Sequence, residues 1–576
     1  MSRWFVCAAL SVFSLACSSG GSGGSPGTGG STSGTGGSTT GTGGTTGSTG
    51  GTMGGTGGTM GGTGGTMGST GGTMGSTGGT MGGTGGTMGG TGGMVMGGTG
   101  GTMSGTGGMM MASGQNVTQR NGDAARTGHF IRPMLTKAKA ATMAPDAAFM
   151  TTYSGSVAGV PLYAENGPGG KGAFFVATQA NNVYAFDETT GAQLWMKNLG
   201  ATATGGCDGQ GKGIMSTPAL DPVGRTLFVV AAVGAGINFT AFGLNIDDGS
   251  TRWMINLRTA MGNVDLSNTN QRGALLLVNG ILYIPFGGQV GDCNGARGRV
   301  FAINTADTTK TGSWATSDDG SAIWAPGGMA SDGNAAFAIT GNHFPNFSAP
   351  GTHADSEEVV RLTGLAQLQR SNANIFFPNR WAAMDGGDLD FGACSPVVME
   401  VPGATPAKFV AAPAKDGHLY FLDPSNLGGM GGEKFDLQFA QQGMSALKTT
   451  PAAYVTANGA YVVLSTQGAQ GCPAAGGTVV MGIKVGVTAG AIKPTVAWCS
   501  GVSGETSPIV TTTDGKTDAV VWWMNGGNLK GVDGDTGAMV YSGGSCAVQR
   551  WTSPIAAKGA RIVSAAGNKL CSWTAM

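Results

Sequence analysis

The line "NNVYAFDETTGAQLW" (181–195) constrains the fold of this chain more than any other stretch. It alternates apolar and polar residues up to Phe186, turns on Asp187 and Gly191, and leaves on Trp195. The frame returns in "GLNIDDGSTRW" (243–253), with Asn245, Gly249 and Trp253 in the same places. It returns again in "GVDGDTGAMVY" (531–541), with Asp533, Gly537 and Tyr541, while "YFLDPSN" (420–426) keeps the aspartate, Asp423. Each copy is a hairpin: the Asp or Asn side chain caps its own turn, and the glycine supplies a residue with φ > 0. The aromatic falls on the outgoing strand, where a large ring packs against the neighbouring sheet.

A second mark stands upstream of each hairpin, a small polar residue, a proline and a β run, as in "STPAL", "CSPVVM", "TTPAAY" and "TSPIV". Proline at the first residue of a strand forfeits no ladder hydrogen bond. With Gly273 as a weak third mark, the series stands at 161, 218, 273, 326, 396, 451, 508 and 554. Each interval holds four strands and little else, and no helical period persists. Eight marks predict an all-β fold, an eight-bladed β-propeller of four-stranded antiparallel blades. Only 22 residues follow the last mark, enough for three strands. The fourth is expected from "AAFMTTYSGSV" (147–157), which would close the ring and remove an exposed edge.

The propeller claims residues 115–576. Residues 18–114 are almost wholly Gly, Thr, Ser and Met, with "TMGGTGG" recurring around Met53, Met60, Met67, Met74, Met81 and Met88. Glycine costs ~1 kcal/mol per residue in a helix, so the seven-residue period does not make a coiled coil. The composition predicts a disordered linker, with a reach of roughly 50–60 Å. The first seventeen residues, "MSRWFVCAALSVFSLAC", carry Arg3 before an apolar run too short to span a bilayer, and predict an export signal. Its end, "SLAC", resembles a bacterial lipoprotein signal, in which Cys17 becomes the lipid-bearing N-terminus. The expected location is the outer membrane or cell surface through that lipid anchor only, with the periplasm or secretion as the alternative.

Lys plus Arg and Asp plus Glu number 31 each, with no basic cluster, which argues against a nucleic-acid partner. Seven cysteines remain beyond Cys7 and Cys17, so disulfides are expected in an exported chain and one cysteine is left over. In a propeller, the loop entering a blade's first strand and the loop joining its second and third strands share one face. That placement makes Cys472 with Cys499 the first candidate pair, and Cys207 with Cys293 the second. No Cys/His spacing suggests zinc.

The "AFDETTGAQLW" line resembles the tryptophan-docking repeat of the quinoprotein alcohol dehydrogenase superfamily, whose fold is an eight-bladed propeller. "QRNGDAARTG" (119–128) is similar to the Asn–Asp–Arg-Thr-Gly opening of bacterial PQQ-like propeller proteins. Enzymes of that superfamily hold pyrroloquinoline quinone (PQQ) and Ca²⁺ at the centre of the ring. The resemblance implies Asn342 in "ITGNHFPNF" as a calcium ligand and Asp355 in "HADSEEVVRL" as the catalytic base. It implies Trp324 in "IWAPGG" as the floor under the quinone and Lys415 in "AAPAKDGHLYFLD" as a contact to its oxygens. A stacking floor, a hard-oxygen ligand, a cation for an oxyanion and a base form a coherent set. Two positions depart from the pattern. The enzymes' calcium glutamate is Gln289 here, and the disulfide between adjacent cysteines that covers the quinone is reduced to Cys207 in "GGCDGQ". The expectation is therefore a non-catalytic binding or scaffold module without a cofactor, meeting a protein or a small ligand at a propeller face. The alternative is a PQQ- and Ca²⁺-dependent dehydrogenase with a variant metal site.

Overall fold

Six of the eight marks lead directly into the innermost strand of a sheet: Pro161 into Leu162–Ala164, Pro218 into Ala219–Asp221, Pro396 into Val397–Glu400, Pro451 into Ala452–Thr456, Pro508 into Ile509–Thr512 and Pro554 into Ile555–Ala557, while Gly273 and Pro326 stand a few residues ahead of Leu276–Val278 and Ala330–Ser331. In this computed structural model, residues 27–106 are described except at 57–58, 64–65, 71–72, 85–86 and 100–101. From 115 to 575 all are described but 208, 210, 290–295, 318, 344–352, 443–448, 473–476, 504–505 and 549–550. Eight sheets follow one another along the chain from residue 162, each built on a four-stranded antiparallel meander. The protein is an eight-bladed propeller, and the blades are numbered here in chain order.

Blade 1 shows the pattern. Its inner strand Leu162–Ala164 and its second strand Ala173–Ala177 are buried throughout, because a blade packs on a neighbour through each face. Its outermost strand, Gln193–Asn198, exposes all but Trp195 and Lys197, which leaves an amphipathic edge. Apolar clusters lie between blades, as where Phe175 and Val183 of blade 1 meet Leu227 and Val229 of blade 2.

The hairpin line acquires its physical meaning at these interfaces. Asp187 Oδ1 accepts from the Thr189 and Thr190 amides at 3.0 and 2.9 Å, and Asp533 Oδ1 accepts from Asp535 and Thr536 at 2.9 Å each. Trp195 donates its Nε1 proton to the Ile246 carbonyl of blade 2 at 2.8 Å; Trp498 of blade 6 does the same to Gly534 of blade 7 at 2.8 Å. The hairpin glycine is the floor of each dock. A Cβ on Gly249 (φ +71°) would stand 2.7 Å from the Trp195 ring, and one on Gly537 (φ +73°) 2.8 Å from Trp498. So glycine is required twice over, by the turn and by the ring from the preceding blade.

The ring closes through the N-terminus, a few residues upstream of the expected segment. Met143–Pro145 pairs with Leu570–Ala575 of blade 8, Trp573 facing Pro145. The expected stretch 147–157 instead anchors that blade from the side: Tyr153 Oη donates to the Ala566 and Lys569 carbonyls at 2.7 and 2.8 Å. Ahead of the closing strand, the "QRNGDAARTG" segment runs round the inside of the ring. Val117 and Thr118, just ahead of it, accept from Tyr163 and Leu220, and the segment itself accepts from Leu277, Ser331, Val398, Ala453 and Val510, so that one residue from the inner strand of each of blades 1 to 7 is held. Arg132 completes the circuit with a 3.0 Å bond to Ala556 of blade 8. These contacts span from tens to several hundred residues of sequence, so the segment is a belt that fixes the blades' inner ends.

Chain contacts separate Met1–Ser113 from Gly114–Met576. In the first unit the described backbone pairs in parallel strands offset by two heptads, Met53 facing Met67 and Met60 facing Met74. That is the pairing a perfect repeat makes with itself, and the linker reading of residues 18–114 is tested below. Cys17 lies outside the described residues. Among the described residues no helix is long and apolar enough to cross a membrane.

Candidate functional site

The loops entering the inner strands and those leaving the second strands gather on one face. On this face Trp324 precedes blade 4, Asn342 follows its second strand, and Lys415 follows the second strand of blade 5. They meet around a residue the sequence reading passed over, Asp390, in the loop entering blade 5. Asp390 Oδ1 accepts from Trp324 Nε1 at 3.3 Å and from the Asn342 amide at 3.2 Å, while Oδ2 accepts from Lys415 Nζ at 2.9 Å. Asp390 is 4% exposed, so these bonds form out of water. Gly341 makes the approach possible, since a Cβ there would lie 2.5 Å from Asp390 Oδ1 and 3.3 Å from Trp324 Nε1.

Lys415 also donates to Asp388 at 2.9 Å. Burial, which lowers the lysine's pKa, is outweighed by Asp390 and Asp388, and the ammonium is held above its ordinary value. Glu357 lies beneath this pair. Its backbone is left-handed (φ +51°), its N–H donates to Gly341 at 3.0 Å, and its Oε2 accepts from the Phe391 amide. Complete burial, then the neighbouring Asp390, Asp385 and Asp416, push the Glu357 carboxyl well above the usual range.

Asp355, expected as the base, is held by a different set. Its Oδ2 accepts from the Ser317 amide at 2.6 Å, and Arg370 forms an ion pair with it. The carboxylate beside Trp324 and Lys415 is Asp390. Gln289 is buried and turns its amide nitrogen to the Ser267 and Thr269 carbonyls at 2.7 and 3.2 Å. Its Oε1 faces Cys207 Sγ at 3.4 Å, and Cys207 is disulfide-bonded; Cys293 lies outside the described residues. Cys472 and Cys499 are bonded within blade 6, tying its second-to-third-strand loop to its outer strand, and Cys546 and Cys571 bridge blades 7 and 8. Cys394 is a buried thiol whose pKa burial pushes up.

Do these residues fit a quinone with its calcium? The expected carboxylate ligand is an amide set against a disulfide sulfur. Asp390, the carboxylate best placed to take its part, already carries three donors, one of them the Lys415 ammonium. The Asn342 side-chain amide has one buried end without a partner, and a flip of that amide would present its oxygen. Among the described residues no group of three His, Cys, Asp or Glu side chains is arranged to hold a metal. The site does not fit Ca²⁺, because a fixed ammonium already supplies the positive charge.

Residues 140–346 match the family model described as outer membrane protein assembly factor BamB. No curated protein matches the chain. Among solved structures, it is similar to quinohemoprotein alcohol dehydrogenase ADHIIG from Pseudomonas putida HK5, at 11% identity over 80% of each chain with a TM-score of 0.57. The quinohemoprotein alcohol dehydrogenase of Comamonas testosteroni is similar at 14% identity over 80% of each chain, TM-score 0.54. A europium-containing methanol dehydrogenase is similar at 12% identity over 80% of this chain and 98% of its own, TM-score 0.56. At these identities the likeness is one of fold.

Proposed function

We propose, from the premise that this chain is a PQQ-like eight-bladed propeller, that it is an exported, non-catalytic binding or scaffold module. The observation that carries the reading is the Lys415 ammonium bridging Asp388 and Asp390, 2.9 Å from each, in the place where a catalytic cation would need those oxygens. The family model over 140–346, named for an assembly factor, supports a protein partner at a propeller face, and a small ligand at the mouth is the other form of the same reading. Two disulfides support an oxidising compartment outside the cytoplasm. The "SLAC" ending at Cys17 supports lipidation there, which with the linker as tether would anchor the propeller at the outer membrane or cell surface.

One observation favours the second reading, a PQQ- and Ca²⁺-dependent dehydrogenase: Trp324, Asn342, Asp390 and Lys415 do converge on one face. Purified protein incubated with PQQ and Ca²⁺ separates the two. The binding-module reading expects no new cofactor absorbance and no dye reduction with alcohols or sugars. Saturable absorbance coupled to dye reduction would replace it with the enzyme reading.

A further inference from the structure

The belt segment carries a charge that nothing described balances. Arg120 is fully buried at the centre of the ring. Its Nε donates to Thr450 Oγ1 of blade 6 at 3.1 Å, and its Nη2 donates to Ser507 Oγ of blade 7 at 3.1 Å and to the Trp551 carbonyl ahead of blade 8 at 2.8 Å. All three acceptors are neutral, and Nη1 has no partner. Burial alone moves its pKa, down to about 10, with no carboxylate opposing the shift. The second belt arginine, Arg126, adds to the excess: it donates to the Arg120 carbonyl at 3.1 Å, and the two guanidinium groups repel. Asp123 offsets Arg126, which leaves Arg120 as the uncompensated ion.

The surroundings are rich in hydroxyls. Ser395 of blade 5 is fully buried and its Oγ has no partner. A Cβ built on Gly327 would stand 2.3 Å from both Ser395 Oγ and Thr450 Oγ1, so the two hydroxyls lie within twice that distance of each other. Thr450 is the residue to which Arg120 donates, so Ser395 is at the edge of the same cluster. The residues preceding Thr450, Ser507 and Ser553 are Thr449, Thr506 and Thr552, each 2% exposed with a hydroxyl lacking a partner. A buried guanidinium without a counter-ion is expensive, and hydroxyls beside it, as those of Thr450 and Ser507 are, with no carboxylate among them are what a small anion needs.

We propose that the hydroxyl cluster around Arg120, at the inner ends of blades 5 to 8, binds a small monovalent anion of halide size, which neutralises Arg120 and helps hold those blades to the belt. The site lies at the belt, uses none of the Asp390 cluster, and does not rest on the binding-module reading above.

The test uses the full chain at constant ionic strength, with sodium gluconate exchanged for sodium chloride or sodium bromide. Chloride and bromide should each raise the melting temperature by about 2 °C or more over gluconate. Crystals grown in bromide should show an anomalous peak within hydrogen-bond distance of Arg120 Nη1. Arg120→Gln should abolish the halide shift; if it does not fold, Ser395→Val, which removes one donor and leaves the charge, should reduce it. Identical melting in gluconate and halide, with no anomalous peak, would overturn the proposal and leave the cluster to water. A halide shift that survives in both variants would place the anion elsewhere and overturn it equally.

Discussion

The hairpin docks at the blade interfaces and the Asp390 cluster at the mouth are made of the same materials, a tryptophan, an aspartate and a glycine that must lack a Cβ, yet they do opposite things. At the docks the aspartate caps its own turn, and the tryptophan reaches one turn of the next blade. Each unit is local, and it recurs from blade 1 to blade 2 and from blade 6 to blade 7. At the mouth, Asp390 accepts from Trp324 of the blade 4 entry and from Lys415 across its own blade, and Gly341 clears the way. Among the described residues that arrangement does not recur. Repetition builds the frame, and departures from it are where a propeller acquires individual chemistry.

The largest effect that separates the two regions should come from the docks. Trp195→Ala removes a 92%-buried ring and its bond to Ile246, and should cost about 3–5 kcal/mol of stability without altering any ligand response at the mouth. Urea denaturation checks it, and a loss below about 1 kcal/mol would mean the dock is ornamental.

Lys415→Met should cost about 3 kcal/mol, because Asp390 would keep a buried charge with no cation beside it. Lys415→Arg, which keeps the charge, should lose much less in urea denaturation. Equal losses in the two variants would show that Lys415 contributes packing and not charge.

The third test concerns Glu357, whose folded pKa is raised. Its protonated form stabilises the fold below the unfolded value of about 4.5, and that contribution is lost as pH rises through the folded value. Glu357→Gln should therefore gain stability relative to the native chain as pH is raised above the unfolded value. Denaturant midpoints at several pH values will show it; a constant gap between the two proteins would rule it out.

Smallest of all should be the effect of the glycine-rich segment. Deleting residues 18–114 should shift the propeller's melting temperature by no more than about 1 °C, and brief protease treatment of the whole chain should cut there first. A drop of several degrees would mean that the segment packs on the domain.

The same contrast decides what could be read from sequence. The hairpins and marks were legible because turn chemistry is local: an Asx cap and a φ > 0 glycine announce themselves within five residues, and the eight marks give the blade number. The closing strand Met143–Pro145 was not, since three residues of "MAP" carry no alternation to distinguish them from the stretch that follows. Asp390 was missed for a different reason. In "GGDLDFGACSP" nothing marks which acid will face Trp324, sixty-six residues away, and only folding brings the two together. The one hint was position, an acid in the loop entering a blade mark. Asp355 stood in a more suggestive stretch, but Arg370, which pairs with it, is equally distant from any sequence signal. Arg120 was visible within its motif, while its partners lie 330 to 431 residues away.

Calcium calorimetry on the native chain tests the central claim most directly. If Lys415 stands permanently where a catalytic cation would, titration with Ca²⁺ should give no saturable heat, with or without PQQ, and Gln289→Glu alone should restore none because the ammonium still occupies Asp390. A saturable Ca²⁺ isotherm from the native protein, strengthened by PQQ and by Gln289→Glu, would contradict that account.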